Sequence, residues 1–382
     1  MGSRPVKART GSDVRESPKS SPEAPIDPGW ETGPVTEPSP LPTVPDLPTG
    51  WTSRTPALAD HGALVDLVAA HQHSVRGSSS VDPEAVASAA TGTASWTRRQ
   101  LLAEDASGRV GAWVNVHDRA AGRSVVEVVV APDVAAADEL AADLFRWAAT
   151  TALEVAEQRG LPGTQLDSGA YASDERQRGW LAGAGYRQTR TWLQMSRPVD
   201  ASEAEPGALP AVREGVTVRR VAKHDDGLPV AADLQTVHRM LEESFADHFN
   251  SYRESFPEFV QRLREDPGHR WDHWWIATID LDGEQVPGGA LVSSVLSPDE
   301  NGVEGSYIDY IGVHRRSRGR GVAKALLHTV IADAARRGRN RVGLEVDADS
   351  PTGADGLYRS MGWATRYETE SWHRDVTVEA GA

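Results

Sequence analysis

The stretch Ile311-Gly-Val-His-Arg-Arg-Ser-Arg318-Gly-Arg-Gly321-Val-Ala323-Lys324 is the part of the chain best equipped for chemistry. Its glycines let the backbone approach a ligand with no Cβ in the way. Successive N–H groups then converge where a helix begins, and that arrangement binds phosphate. Arg315, Arg316, Arg318, Arg320 and Lys324 make the loop positive in a chain of formal net charge −15. A nucleotide loop of the form G-x-x-x-x-G-K-[ST] is absent. A dinucleotide fingerprint needs glycine at position 324, where lysine stands.

Carboxylates near this loop are candidate bases. The segment 307–313 alternates as a strand, so Tyr307, Asp309, Ile311 and Val313 are expected on one face. Asp309 is a carboxylate among apolar neighbours, and burial raises a carboxyl pKa into the range of a general base. A purely structural hydrogen-bond role is equally open. Glu304 at the strand entry, and Glu345 and Asp347 on the next strand, are the other candidates. Phe245, His248, Phe249, Tyr252 and Phe256 form an aromatic patch at helical spacing, suited to a pocket wall or to core packing. His269 and His273 have a metal-like spacing. With no cysteine and no paired acidic motif beside them, no metal is expected. Trp271, Trp274 and Trp275 read as core residues of a strand.

The elements that must hold these residues follow from periodicity. Ala323, Leu326, Leu327, Val330, Ile331 and Ala334 recur at three- and four-residue steps and predict a helix over 322–338. Arg336 and Arg337 suit its negative end, and Gly338 suits the cap. Strands are expected over HWWIATIDL, GGALVSSVL, GSYIDYIGV and RVGLEVDAD, with a short helix at LYRSMGW. An earlier part of the chain repeats this order: strands RVGAWVNV and SVVEVVVA, a helix from Leu140 to Gly160, strand TQLDSG and short helix WLAGAGY. A final strand is expected to close each unit. Residues 1–53 hold 11 of the 24 prolines before position 51 and read as a disordered tail. Residues 54–198 read as one domain, 199–215 as a linker and 216–377 as a second domain.

The pattern Arg318-x-x-Gly321-x-Ala323, after a strand and ahead of LYRSMGW, resembles the signature loop of the GCN5-related N-acetyltransferase (GNAT) superfamily. The resemblance implies an α/β (α+β) fold of two tandem GNAT-like domains. Each would be a mixed, mostly antiparallel sheet flanked by helices. It implies acetyl-CoA as co-substrate and a small-molecule amine as acceptor. Backbone groups of Ile311, Gly312 and Val313 would pair with the pantetheine arm. The N–H groups of Arg318, Gly319, Arg320, Gly321, Val322, Ala323 and Lys324 would hold the pyrophosphate. Tyr358 stands at the family's acid position in Leu-Tyr-x-x-x-Gly-aromatic. The family's asparagine before the short helix is missing from the run 349–354. Direct transfer to an amine of pKa about 10.4 makes deprotonation at pH 7 cost roughly 4–5 kcal/mol. A departing thiolate of pKa near 8.5 demands less, about 2 kcal/mol, so the base or a water wire is the larger need.

The first unit lacks these features. Between Val128 and Phe145 there is no glycine, lysine or arginine, and Asp133, Asp138, Glu139 and Asp143 occupy the junction. Acidic groups repel a pyrophosphate. Matching Gly185-Tyr186 to Gly362-Trp363 puts Leu181 where Tyr358 stands. The first unit thus reads as a degenerate copy. The net charge argues against nucleic acid and anionic membranes as partners. No apolar run is long enough to span a bilayer, and the N-terminus has no apolar leader. A cytoplasmic protein is expected. The oligomeric state is open, and a monomer fits.

Overall fold

A computed structural model describes residues 45–119, 122–245, 254–350 and 353–378. The proline-rich tail up to residue 44, and His248, Phe249 and Tyr252 of the aromatic patch, lie outside the described residues.

Among the described residues, the first half runs β1 (Thr52–Arg54), α1 (His61–Arg76), α2 (Pro83–Ala90), β2 (Arg98–Glu104), β3 (Val110–Arg119), β4 (Arg123–Val130), α3 (Ala137–Gln158), β5 (Gly163–Tyr171), α4 (Glu175–Gly183) and β6 (Arg187–Pro198). The second half repeats the order as β7 (Val216–Arg220), α5 (Ala231–Phe245), α6 (Phe256–Arg264), β8 (His269–Leu281), β9 (Glu284–Leu296), β10 (Gly305–Val313), α7 (Val322–Arg336), β11 (Arg341–Asp347), α8 (Ala354–Ser360) and β12 (Ala364–Thr377).

The strands form one continuous sheet in the order β1-β2-β3-β4-β5-β12-β6-β11-β10-β9-β8-β7. Pairing is antiparallel except at β4–β5 and β10–β11. The expectation that each unit closes with its own last strand is corrected here: the halves exchange them. β6 lies against β11 from Arg341↔Pro198 to Asp347↔Trp192, and β12 lies against β5 from Thr369↔Tyr171 to Thr377↔Gly163. Both acceptor edges are alike, so alternation in the sequence could not choose between them. The exchange places β6 and β12 side by side at the centre. Residues 42–382 accordingly cluster as one unit.

Helices cover both faces. The α3 face buries Leu140, Leu144 and Phe145 against Val126, Val128 and Leu166. The α7 face buries Leu326, Leu327, Val330 and Ile331 against Ile308, Leu291 and Leu344. On the opposite faces, α1 and α2 pack over Leu102 and Trp113, while α5 and α6 pack over Trp274, Ile276 and Val292. Trp274 and Trp275 are core residues on opposite faces of β8. The connector 199–215 is docked: Val199 and Leu209 pack against the α7 cluster.

Candidate functional site

The site begins where two strands part. β10 and β11 pair only at Ser306↔Val342, Tyr307↔Gly343 and Ile308↔Leu344. Beyond that point each strand bonds only to its outer neighbour, and the sheet opens into a cleft. One reason is a bulge. Ile308 pairs with Ser293 and Tyr310 with Val292, which leaves Asp309 as the extra residue. Strict alternation put Asp309, Ile311 and Val313 on one face. The bulge corrects this: Tyr310 joins the α5–α6 cluster, while Ile311 and Val313 pack toward α7.

A cavity of about 1560 Å³ fills this opening. Asp309, Ile311, Gly312, Val313 and Tyr358 all line it, as do Arg318, Gly319, Gly321, Val322, Ala323 and Lys324. Of the predicted loop residues, Arg320 is turned away. Its Nη1 donates to the Asp280 carbonyl oxygen at 3.2 Å, and its N–H donates to the Ser317 carbonyl oxygen at 3.3 Å.

The loop opens α7 at a glycine and leaves helix N–H groups without an acceptor. Gly321 is the N-cap of α7 at φ 89°, a left-handed conformation that side chains disfavour. The helical ladder starts with Ala325 N–H to the Gly321 carbonyl oxygen, so the N–H groups of Val322, Ala323 and Lys324 have no helical acceptor. Gly312 serves packing: a Cβ there would stand 2.9 Å from Ser244 Oγ and 3.0 Å from Leu241 on α5. Arg213 of the connector, which no sequence signal marked, donates to the Gly319 carbonyl oxygen at 3.0 Å and lines the cavity.

Two proton-carrying groups face the cleft. Burial pushes the Asp309 carboxyl up to about 8, with Asp266 adding to the rise and the Ser294 hydroxyl, donating at 3.1 Å, opposing it. Burial pushes the Tyr358 phenol up to about 12; its ring meets Trp363 edge-on at 6.0 Å. The other acidic candidates are placed differently. Glu304 is exposed at the far end of β10, outside the cavity lining, with Arg339 Nε at 3.6 Å. Glu345 lines the cavity and accepts from Gln194 at 2.9 Å. Asp347 lines it too but is committed, to Arg190 at 3.2 Å and to the Asp349 N–H at 2.9 Å.

Phe245 lines the cavity, and Phe256 packs in the α5–α6 cluster. His273 is occupied by protein: Nδ1 meets Asp272 and Nε2 meets Arg339, both at 2.7 Å. His269 packs edge-on against Trp271 at 4.4 Å.

In the first half β4 and β5 likewise pair at only three positions, from Arg123↔Gln165 to Val125↔Asp167, but side chains bridge the gap: Ser168 Oγ donates to the Val126 carbonyl oxygen at 2.7 Å and Gln177 Nε2 to that of Val128 at 3.3 Å. Leu181 is fully buried in the α3 cluster, and Tyr186 packs edge-on against Phe145 at 5.7 Å. Asp138 accepts from Trp180 Nε1 at 2.7 Å, Asp133 from Arg109 at 2.7 Å, and Asp143 from Arg146 at 2.6 Å. Yet the first half supplies cavity residues that sequence reasoning missed: Arg123, Asp167 and Trp192, joined by His373 of β12. Nothing in their local sequence signals this, because the strand exchange brings them to the site.

Comparison with known proteins agrees with this geometry. Residues 237–363 match the model of the acetyltransferase (GNAT) family. A mycothiol acetyltransferase of Jonesia denitrificans is 27% identical over 184 residues, covering 48% of this chain and 54% of that protein. The chain thus matches about half the length of that relative. A GCN5-related N-acetyltransferase from Sphaerobacter thermophilus superposes with a TM-score of 0.65 at 24% identity, over 88% of this chain and 99% of that one. A tandem GNAT protein from the clavulanic acid biosynthesis pathway superposes at 0.60 and 13% identity, over 86% and 99%. The parted strands and the glycine loop at the α7 N-terminus lie within residues 237–363, so this stretch carries a GNAT acetyltransferase domain, and the fold of the described chain is like that of a tandem GNAT protein.

Proposed function

We propose that the second half transfers an acetyl group from acetyl-CoA to the primary amine of a small molecule by direct attack. The observation that carries this reading is the cleft itself. A buried carboxyl and a buried phenol line one cavity with a glycine loop that presents three unpartnered helix N–H groups. In this reading Val322, Ala323 and Lys324 receive the pyrophosphate. Ile311 to Val313, on the parted edge of β10, offer backbone groups to the pantetheine arm as an added strand would.

The atoms balance as follows. The amine nitrogen bonds to the thioester carbonyl carbon and the C–S bond breaks. The nitrogen gives one proton to the Asp309 carboxylate, and the Tyr358 hydroxyl gives one proton to the departing sulfur. Asp309 near 8 is matched to a base working at mildly alkaline pH, and Tyr358 near 12 stays protonated until the sulfur demands its proton. A module that only sensed an acyl-CoA would need neither group.

A second reading is favoured by one observation: the match to a mycothiol acetyltransferase supports acetylation of a cysteinyl amine on a sugar conjugate as the specific reaction. Calorimetry tests the shared core of both. One acetyl-CoA site per chain, abolished by Gly321→Glu, is expected. Two equal sites would contradict an inactive first half, and none would end the proposal. Thiol release across a panel of amines then identifies the acceptor.

A further inference from the structure

The cavity extends well past the cleft. Small-ligand pockets usually span about 300–1,000 Å³, and 1560 Å³ leaves room for a sizeable acceptor beside the co-substrate. The lining continues across the sheet from β10 and β11 to β12, β5 and β4. Its far wall comes from the first half and from β12. Asp167 of β5 stands opposite His373 of β12, and Trp192 of β6 stands opposite both Thr369 of β12 and Asp347 of β11. Arg119, at the end of β3, acts electrostatically on Asp167 and on Tyr310 of β10, so this wall faces the reacting strand.

Asp167 is the unusual member. Its Oδ2 pairs with Arg123. Its Oδ1 is buried and receives no hydrogen bond from any described residue. The nearest ring nitrogen, His373 Nε2, is 3.4 Å away and outside hydrogen-bond geometry. His373 is 5% exposed, and burial holds its imidazole below the usual value. A buried carboxylate oxygen without a donor costs on the order of 1–3 kcal/mol or more. Asp167 lines the cavity with its side chain 15% exposed, so a ligand donor can reach its carboxylate group.

We propose that the acceptor is a long amine carrying a second hydrogen-bond donor, a hydroxyl or an ammonium, at its far end, and that Asp167 receives that group. This rests on the acyl-transfer reading and adds where the acceptor's other end is held. Asp167 and Asp309 lie four strand spacings apart in the sheet order, a span on the order of 15–20 Å. A short amine cannot reach both. A donor-tipped ligand is favoured over an anionic one because Arg123 is already paired with Asp167, whose Oδ1 lacks a donor.

The test uses amino-terminated oligo(ethylene glycol) probes of about a dozen chain atoms, tipped with hydroxyl, ammonium or methyl ether. Binding to the full chain is measured in the presence of CoA, with no turnover required. At least tenfold tighter binding of one donor-tipped probe than of the methyl-tipped one is expected. The hydroxyl and ammonium arms tell which donor it is. Asp167→Asn, which keeps the shape, should cut that ratio at least threefold. Equal affinity for all three tips overturns the assignment without recourse to a variant, and so does a ratio that survives Asp167→Asn. Tip preference without any acetyl transfer instead sinks the acyl-transfer reading alone.

Discussion

Arg213 Nη1 donates to the Gly319 carbonyl oxygen at 3.0 Å, tying the connector between the halves to the glycine loop. The same side chain lies where a Cβ on Gly321 would stand, 2.8 Å from Arg213 Cδ. The connector therefore braces the loop whose helix N–H groups are proposed to hold pyrophosphate. Arg213→Ala should weaken acetyl-CoA binding about 5- to 30-fold, the scale of one lost hydrogen bond to a preorganised loop. Gly321→Ala should do worse. It adds left-handed strain of about 1–2 kcal/mol and must displace Arg213. Calorimetry on both variants checks this, and affinity unchanged by either would refute the brace.

In the proposed mechanism Asp309 sets the pH dependence. Its folded carboxyl titrates near 8, far above its value of 3.8 in an unfolded chain. As a base it must lose its proton, so turnover should climb with pH until about 8 and then level off. Asp309→Asn should lower kcat by two orders of magnitude or more. A flat pH–rate profile between 6 and 9 would remove Asp309 from the role.

The same shift makes a stability prediction of opposite sign. A folded pKa raised above the unfolded one means that the folded state holds the proton more tightly. Stability from this group is full below about 4 and is lost as pH rises through about 8. Asp309→Asn removes that loss, so at pH 9 the variant should unfold at a higher temperature than the parent, by the equivalent of a few kcal/mol. At pH 4 the two should melt alike. Differential scanning calorimetry at both pH values decides it.

Tyr358→Phe deletes one oxygen from a buried ring and leaves the edge-on contact with Trp363. It should reduce kcat tenfold to a thousandfold while changing acetyl-CoA affinity less than threefold. Loss of affinity matching the loss of kcat would reveal a packing role instead.

Acid should destabilise the protein through buried histidines. Burial, chiefly, depresses His117 to about 3 and His269 and His273 to about 4. Each is a group whose charged form is disfavoured by folding. The unfolded chain takes up protons below about 6.5 that the folded chain refuses, so stability falls from there toward pH 4. Urea unfolding at pH 5 should give a free energy lower than at pH 7 by on the order of a few kcal/mol. Resonances of His117, His269 and His273 that titrate near 6.5 in the folded state would contradict it.

The sequence by itself determined what is local. The loop 318–324, the helix behind it, strand 305–313 and Tyr358 before Gly362-Trp363 all follow from spacing over a few residues, where glycine geometry and side-chain period leave little choice. The absence of a matching loop near Asp133 to Asp143 was equally plain. Tertiary structure alone decided what depends on long-range pairing. Strands of similar pattern compete for the same edges, so the exchange of β6 and β12 could not be read from alternation. The bulge at Asp309 turned Ile311 and Val313 to the other face by inserting one unpaired residue. Asp167, Trp192, Arg213 and His373 reached the cavity only because distant strands and a docked connector carried them there.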